Sequence, residues 1–216
     1  MKSIAIPVLL FISFVSLGQN RKETLSDMTN KYHLIRELID TNTLRQYHTD
    51  YPCQDPIEKG DLTFYYNSSE LKHIVHTYIL DHIKYRDEFY VWNNKLFLLH
   101  ASHKIRFQDY KKNTLINIGE LINVTVTYDE YLYLKDDTVI NYVFDCFENR
   151  SDAPEKTNSR SIKSQRIKSG QLDRILKKFN ALLYFQKTKI KGPTSLPKSI
   201  TKKEPQDIIY STISGF

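Results

Sequence analysis

One pattern, written three times between Asp61 and Phe144, constrains the fold of this chain more than any other feature. The first copy runs from Asp61 through Phe64-Tyr65-Tyr66 and Asn67-Ser68-Ser69-Glu70 to Ile74-Val75-His76. The second runs from Asp87-Glu88 through Phe89-Tyr90-Val91-Trp92 and Asn93-Asn94 to Leu96-Phe97-Leu98-Leu99-His100, and the third from Asp129-Glu130 through Tyr131-Leu132-Tyr133-Leu134 and Asp136-Asp137 to Val143-Phe144. An acidic start, an aromatic run, a polar interruption and an aliphatic run spell a β-hairpin. Asn93-Asn94 and Asp136-Asp137 tolerate the positive φ of a tight turn, and Asn67 to Glu70 suits a slightly longer loop. Side chains alternate along a strand, so Leu62, Phe64 and Tyr66 share a face, and Phe89 and Val91 oppose Tyr90 and Trp92. Three consecutive hairpins predict an antiparallel meander of about six strands. Ile105 and Phe107 extend the second hairpin, and Leu121 to Thr127 lengthen the third. The unequal spacing of the copies argues against a solenoid or propeller.

Outside the repeats the period changes to that of a helix. Leu25, Met28, Tyr32, Ile35 and Leu38 or Ile39 recur at steps of three and four, which predicts an amphipathic helix over about 24–46. Thr24 or Ser26 is its candidate cap, and Thr41-Asn42 weaken its end. Leu172, Ile175, Leu176, Phe179, Leu182 and Leu183 form the stripe of a second helix that Ser169 caps. Between the meander and this helix the chain is polar and basic, from Asn149 to Lys168, and reads as a mobile loop. The expected organisation is a signal peptide over 1–18, a helix and connecting loop over 19–59, the meander over 60–148, a basic loop over 149–168, a helix over 169–186 and a loosely ordered tail over 187–216. The fold class is α+β: an antiparallel meander of three hairpins, with both helices packed on one of its faces.

The leader carries a definite signal. Lys2 supplies the positive start, Ile4 to Val15 an apolar run, and Ser16-Leu17-Gly18 a small-residue cleavage region. Gln19 stands where a lipid-bearing cysteine would, so cleavage and release without a lipid anchor are expected, placing the chain in the periplasm or outside the cell. The net charge of +6 becomes 6 − 1 = +5 once Lys2 is removed. Outside the cytoplasm that balance suits an envelope or extracellular protein, a glycan or an anionic surface, and not nucleic acid. Export also permits a disulfide between Cys53 and Cys146, and two buried thiols are the equally open alternative.

The run Phe89-Tyr90-Val91-Trp92-Asn93-Asn94-Lys95-Leu96-Phe97 resembles the hairpin phrase of exported proteins of the Bacteroidota type. Gly60 to Tyr66 and the leader ending at Gln19 share that resemblance. It spans about residues 1–150, implies an envelope or secreted location and a hairpin sheet, and carries over no catalytic residue.

The polar residues make no strong catalytic pattern. His73, His76, His82, His100 and His103 lie on neighbouring hairpins, yet His73 and His76 fall on opposite faces, as do His100 and His103. At most one from each strand converges, His76 with His100 being the pair considered, and no metal site is expected. Asp87-Glu88, Asp129-Glu130 and Asp61 open the hairpins and are read as guards of the strand starts. Neither a Gly-x-Ser-x-Gly elbow nor a Gly-rich phosphate loop occurs in a chain with Gly 6, and no cofactor is expected. The expected role is a non-enzymatic binding module whose contacts are Tyr65, Tyr90, Trp92, Tyr131 and Tyr133 on an exposed aromatic face. The alternative is an exported hydrolase using the His and Asp/Glu side chains of the hairpins.

Overall fold

The computed structural model describes residues 5–52, 59–80, 83–111, 120–164 and 169–188. Helix α1 (Ala5–Asp40) is followed by eight strands: β1 (Arg45–Pro52), β2 (Lys59–Asn67), β3 (Glu70–Leu80), β4 (Ile83–Trp92), β5 (Lys95–Tyr110), β6 (Leu121–Lys135), β7 (Thr138–Arg150) and β8 (Ala153–Ser164). Helix α2 (Ser169–Thr188) closes the order. Every strand pairs antiparallel with its neighbours in sequence, in one sheet ordered β1 to β8. The meander is as expected, with two strands more than the repeats spell out. Within the basic segment expected to be a mobile loop, Ala153–Ser164 instead forms β8, residues 165–168 lie outside the described residues, and part of the expected N-terminal helix, from Arg45, belongs to β1. Both added strands lie at sheet edges, where polar and basic residues are the usual occupants.

The turns follow the residue types. Asn93, Asn94, Asp136 and Asp137 all have positive φ, between 48° and 61°, as a two-residue hairpin of the twist-matched kind requires. Ser68 and Ser69 also make a two-residue connection, with φ of 55° at Ser68, so the longer loop expected there is absent. Each repeat adds a β-bulge just before its turn: after Tyr65 in β2, after Tyr90 in β4 and after Tyr133 in β6. The residue skipped on the partner strand is Lys72, Phe97 or Ile140. The bulge breaks strict alternation, and Phe97 and Leu98, adjacent in sequence, both join the core on the α1 side.

Helix α1 runs unbroken through the expected leader, so Thr24 and Ser26 lie inside it and do not cap its start. Its end is where the sequence weakens. Asn42 takes φ of 53°, its N–H bonds to Ile39 O at 3.0 Å, and Thr43 N–H bonds to Leu38 O at 3.0 Å, a left-handed helix stop. Among the described residues no helix is long and apolar enough to cross a membrane.

The helices lie on opposite faces of the sheet, which corrects the expectation that both share one. Met28 and Ile35 of α1 are buried with Tyr90, Phe97 and Leu98. Phe179, Leu182 and Phe185 of α2 are buried with Leu62, Phe64 and Phe89. Phe89 and Tyr90 are consecutive, so the two clusters are on the two sides of β4. Aromatic residues on both faces demand cover on both, and burying each side chain stabilises by about 1.5–3 kcal/mol.

Candidate functional site

The acidic pairs that open the second and third hairpins divide between the two faces. Register through β5 sets Asp87 opposite Ala101 and Ala101 opposite Glu130, which puts Asp87 and Glu130 in one row beneath α2. The same register sets Glu88 opposite His100 and Ser102 opposite Asp129, on the α1 side. The histidines divide likewise, because His73 faces Tyr90 and His76 faces Asp87. His76 and His100 therefore lie on opposite faces, and the convergence considered for them does not occur. The pairs that share a face are His73 with His100 and His76 with His103.

On the α1 side Glu88 is the hub. Arg86 Nε donates to its Oε1 at 2.6 Å and the Tyr90 hydroxyl donates to its Oε2 at 2.8 Å. His73 Nε2 lies 3.2 Å from Oε2 without the alignment of a hydrogen bond, and Arg36 of α1 stands 3.8 Å away. Burial would raise the Glu88 carboxyl, but His73 and Arg86 beside it hold it well below the usual carboxylate range. Burial in turn lowers His73 below its ordinary value. The imidazole is then neutral near pH 7, and the charges facing Glu88 are those of Arg86 and, farther off, Arg36. One strand on, His100 Nε2 lies 3.2 Å from Asp129 Oδ1 while its Nδ1 lies 3.8 Å from Glu88 Oε1. Burial would raise Asp129, but hydrogen bonds from His100 and Ser102 lower it.

All five expected contact residues belong to this side. Tyr65, Tyr90 and Tyr133, the last residue before the bulge of each repeat, fall in one row across the sheet. Tyr90 is not exposed, however: it is fully buried beneath α1, stacked on His73 at 4.3 Å and meeting Tyr32 edge-on at 5.0 Å. Tyr65, Trp92, Tyr131 and Tyr133 are half-buried around it. Trp92 carries the Lys72 ammonium 3.8 Å from its ring centre and the Lys31 ammonium at 5.6 Å, and Tyr131 stacks on His100 at 4.3 Å. The aromatic face is thus a rim around a helix rather than an open sheet. A helix on this face left no trace in the strands themselves, whose aromatic residues suit a binding surface and a helix seat equally.

The α2 side holds a buried polar row, Leu62–His76–Asp87–Ala101–Glu130–Phe144. It lies between an apolar row that includes Phe89 and Leu132 and an aromatic row that includes Tyr78, Tyr85 and Tyr128. Lys178 of α2 donates to Asp87 Oδ2 at 2.5 Å, and the Tyr78 hydroxyl donates to the same oxygen at 3.3 Å. Burial would raise Asp87, but Lys178 and then His76 hold it low. Burial, followed by the charge of Lys178, keeps His76 well below its ordinary value. Glu130 is 2% exposed and its Oε1 has no hydrogen-bond partner. Burial and the neighbouring Asp87 charge push it up to about 8. Sequence reading singled out both acidic pairs but missed this row, which exists only once β5 sets the register between β4 and β6.

Among the described residues no three His, Cys, Asp or Glu side chains come together as a metal ion needs. Cys146 is half-buried against the α2-side core, whereas Cys53 and His82 lie outside the described residues, and so does the bridge considered for Cys53. Compared with protein-family models, with curated proteins and with solved structures, the chain finds no match.

Proposed function

We propose that this chain is an exported, non-enzymatic binding protein, cleaved after its leader and released without a lipid anchor. Its contact surface is the aromatic rim around α1: Tyr65, Trp92, Tyr131 and Tyr133. The observation that carries this reading is that three half-buried rings, Trp92, Tyr131 and Tyr133, pack against the core beneath α1, with Tyr65 of the first repeat beside His73 on the same face. Tyrosine and tryptophan suit contact surfaces because they combine area with a polar edge at small entropic cost. The partners in keeping with a positive, exported chain are an envelope or extracellular protein, a glycan or an anionic surface.

Trp92 is the sole tryptophan, so its emission reports on this rim. The test titrates the mature protein with acidic and neutral polysaccharides, anionic vesicles and purified envelope proteins. A partner should perturb Trp92 emission, and Tyr131→Ala should weaken that response about tenfold or more with the fold intact. A partner that binds with Trp92 undisturbed and is indifferent to Tyr131→Ala would remove the rim from consideration.

One contact favours a second reading, an exported hydrolase: His100 sits 3.2 Å from Asp129 at a part-buried position, within reach for general-base chemistry. A panel of ester, peptide and glycoside substrates tests it. Turnover abolished by His100→Ala is the result expected of a hydrolase, and turnover unaffected by that change, or none at all, discards it.

A further inference from the structure

Helix α2 sets a lysine over a row that contains two buried carboxyl groups. Asp87 and Glu130 flank Ala101, so their Cα atoms are two strand spacings, about 9.5 Å, apart. With only a methyl group between them, nothing on β5 separates the two carboxyls. Lys178 is engaged by Asp87 at 2.5 Å, and Tyr78 supports the same oxygen. Glu130 Oε1 is buried with no partner. An ionised carboxylate in that position would face Asp87 in a medium of low dielectric without a counter-charge, an arrangement that a proton removes.

We propose that α2 is a proton-linked latch, docked on the sheet while Glu130 is protonated and released as Glu130 ionises beside Asp87. The groups facing this row are His76 and Tyr78 from β3, Asp87 from β4, His103 from β5, Tyr142 from β7 and Lys178 from α2. Release of α2 frees Lys178 from Asp87 and opens the row to water, where both carboxylates are solvated. His76 is kept neutral by burial when α2 is docked and has an ordinary value of 6.5, so it adds little slope above that pH. The raised Glu130 value, about 8 against an ordinary 4.5, makes docking weaken as pH rises from 4.5 towards 8, and above pH 6.5 His76 no longer opposes that loss.

Hydrogen exchange of the α2 backbone amides in the full chain, corrected for intrinsic rates, tests this at pH 6.5 and pH 8.5. Protection should fall about thirtyfold across that interval in the native protein and stay level in Glu130→Gln, whose amide cannot ionise. Lys178→Met should lower protection at both pH values and retain the fall. Infrared spectroscopy of the native protein gives a second readout independent of any variant folding: a buried, protonated carboxyl band present at pH 6.5 and reduced to about a quarter or less at 8.5. Equal protection of native α2 at the two pH values, a fall that persists in Glu130→Gln, or the lack of that band at pH 6.5 overturns the latch.

Discussion

The Tyr90 hydroxyl donates to Glu88 Oε2 at 2.8 Å from two residues along the same strand, entirely within the protein. Burial first, and then the Glu88 charge, push the Tyr90 phenol far above its ordinary range, so it remains a donor at any pH the protein meets. Tyr90→Phe keeps the ring stacked on His73 and removes this one hydrogen bond to a charged acceptor. The expected loss is about 1.5–3 kcal/mol in urea unfolding, with little change in the dependence on denaturant. A loss near zero would mean that Arg86 alone satisfies Glu88.

Lys178 and Asp87 should behave as a coupled pair. Lys178→Met leaves a buried carboxylate without its cation and is expected to cost about 3 kcal/mol or more. Asp87→Asn in the same chain should return part of that loss, since the uncompensated charge is then gone. A double-mutant cycle in chemical denaturation measures the coupling, and strictly additive losses would show that the contact contributes nothing.

The pH profile of stability follows from four kinds of group with different signs. His73 and His76 are depressed below 6.5, so they stabilise the fold above that pH and the contribution is lost as pH falls below it. Glu130 is raised from 4.5 to about 8, so its contribution is complete below 4.5 and is lost as pH rises towards 8. Asp129 and Asp87 are depressed below 3.8, and they withdraw their share only in stronger acid. Glu88 is depressed below 4.5 and does the same. Stability should therefore peak near pH 6.5 and fall by about 2 kcal/mol towards pH 8. Urea midpoints from pH 4 to pH 9 check this, and Glu130→Gln should flatten the alkaline side and steepen the rise between pH 4.5 and 6.5, where Glu130 opposes the histidines.

The turns offer a test of the repeat itself. Asn94 has φ of 61°, where a β-branched side chain is penalised. Asn94→Val is expected to cost about 1–2 kcal/mol, and Asn94→Gly to be neutral or stabilising. Thermal unfolding of both variants measures the difference. Identical melting temperatures would show that this turn does not hold the register of the second hairpin.

What was legible in the sequence was whatever depends on near neighbours. The turn at Asn93-Asn94, the shared face of Leu62, Phe64 and Tyr66, the division of His73 from His76 and the stripe of α2 all follow from spacings of a few residues. Other features depended on partners far along the chain. Arg45 to Asp50 of β1 are exposed apart from the half-buried Thr49, so no buried stripe distinguished them from the end of a helix. The bulges at Tyr65, Tyr90 and Tyr133 shift pairing by one residue and leave no local mark. The meeting of Asp87 with Glu130 across Ala101 requires the register of three strands at once.

The order β1 to β8 has a consequence for how such a chain reaches its folded state. Each new strand finds its partner in the segment that emerged just before it, so no pairing waits for a distant piece of polypeptide. Loops closed in this way are short and cost little entropy, and sheets with mostly local pairings assemble quickly for their size. A polypeptide delivered from its N-terminus can therefore grow its sheet one ribbon at a time, and α2, arriving last, seals a surface already laid down.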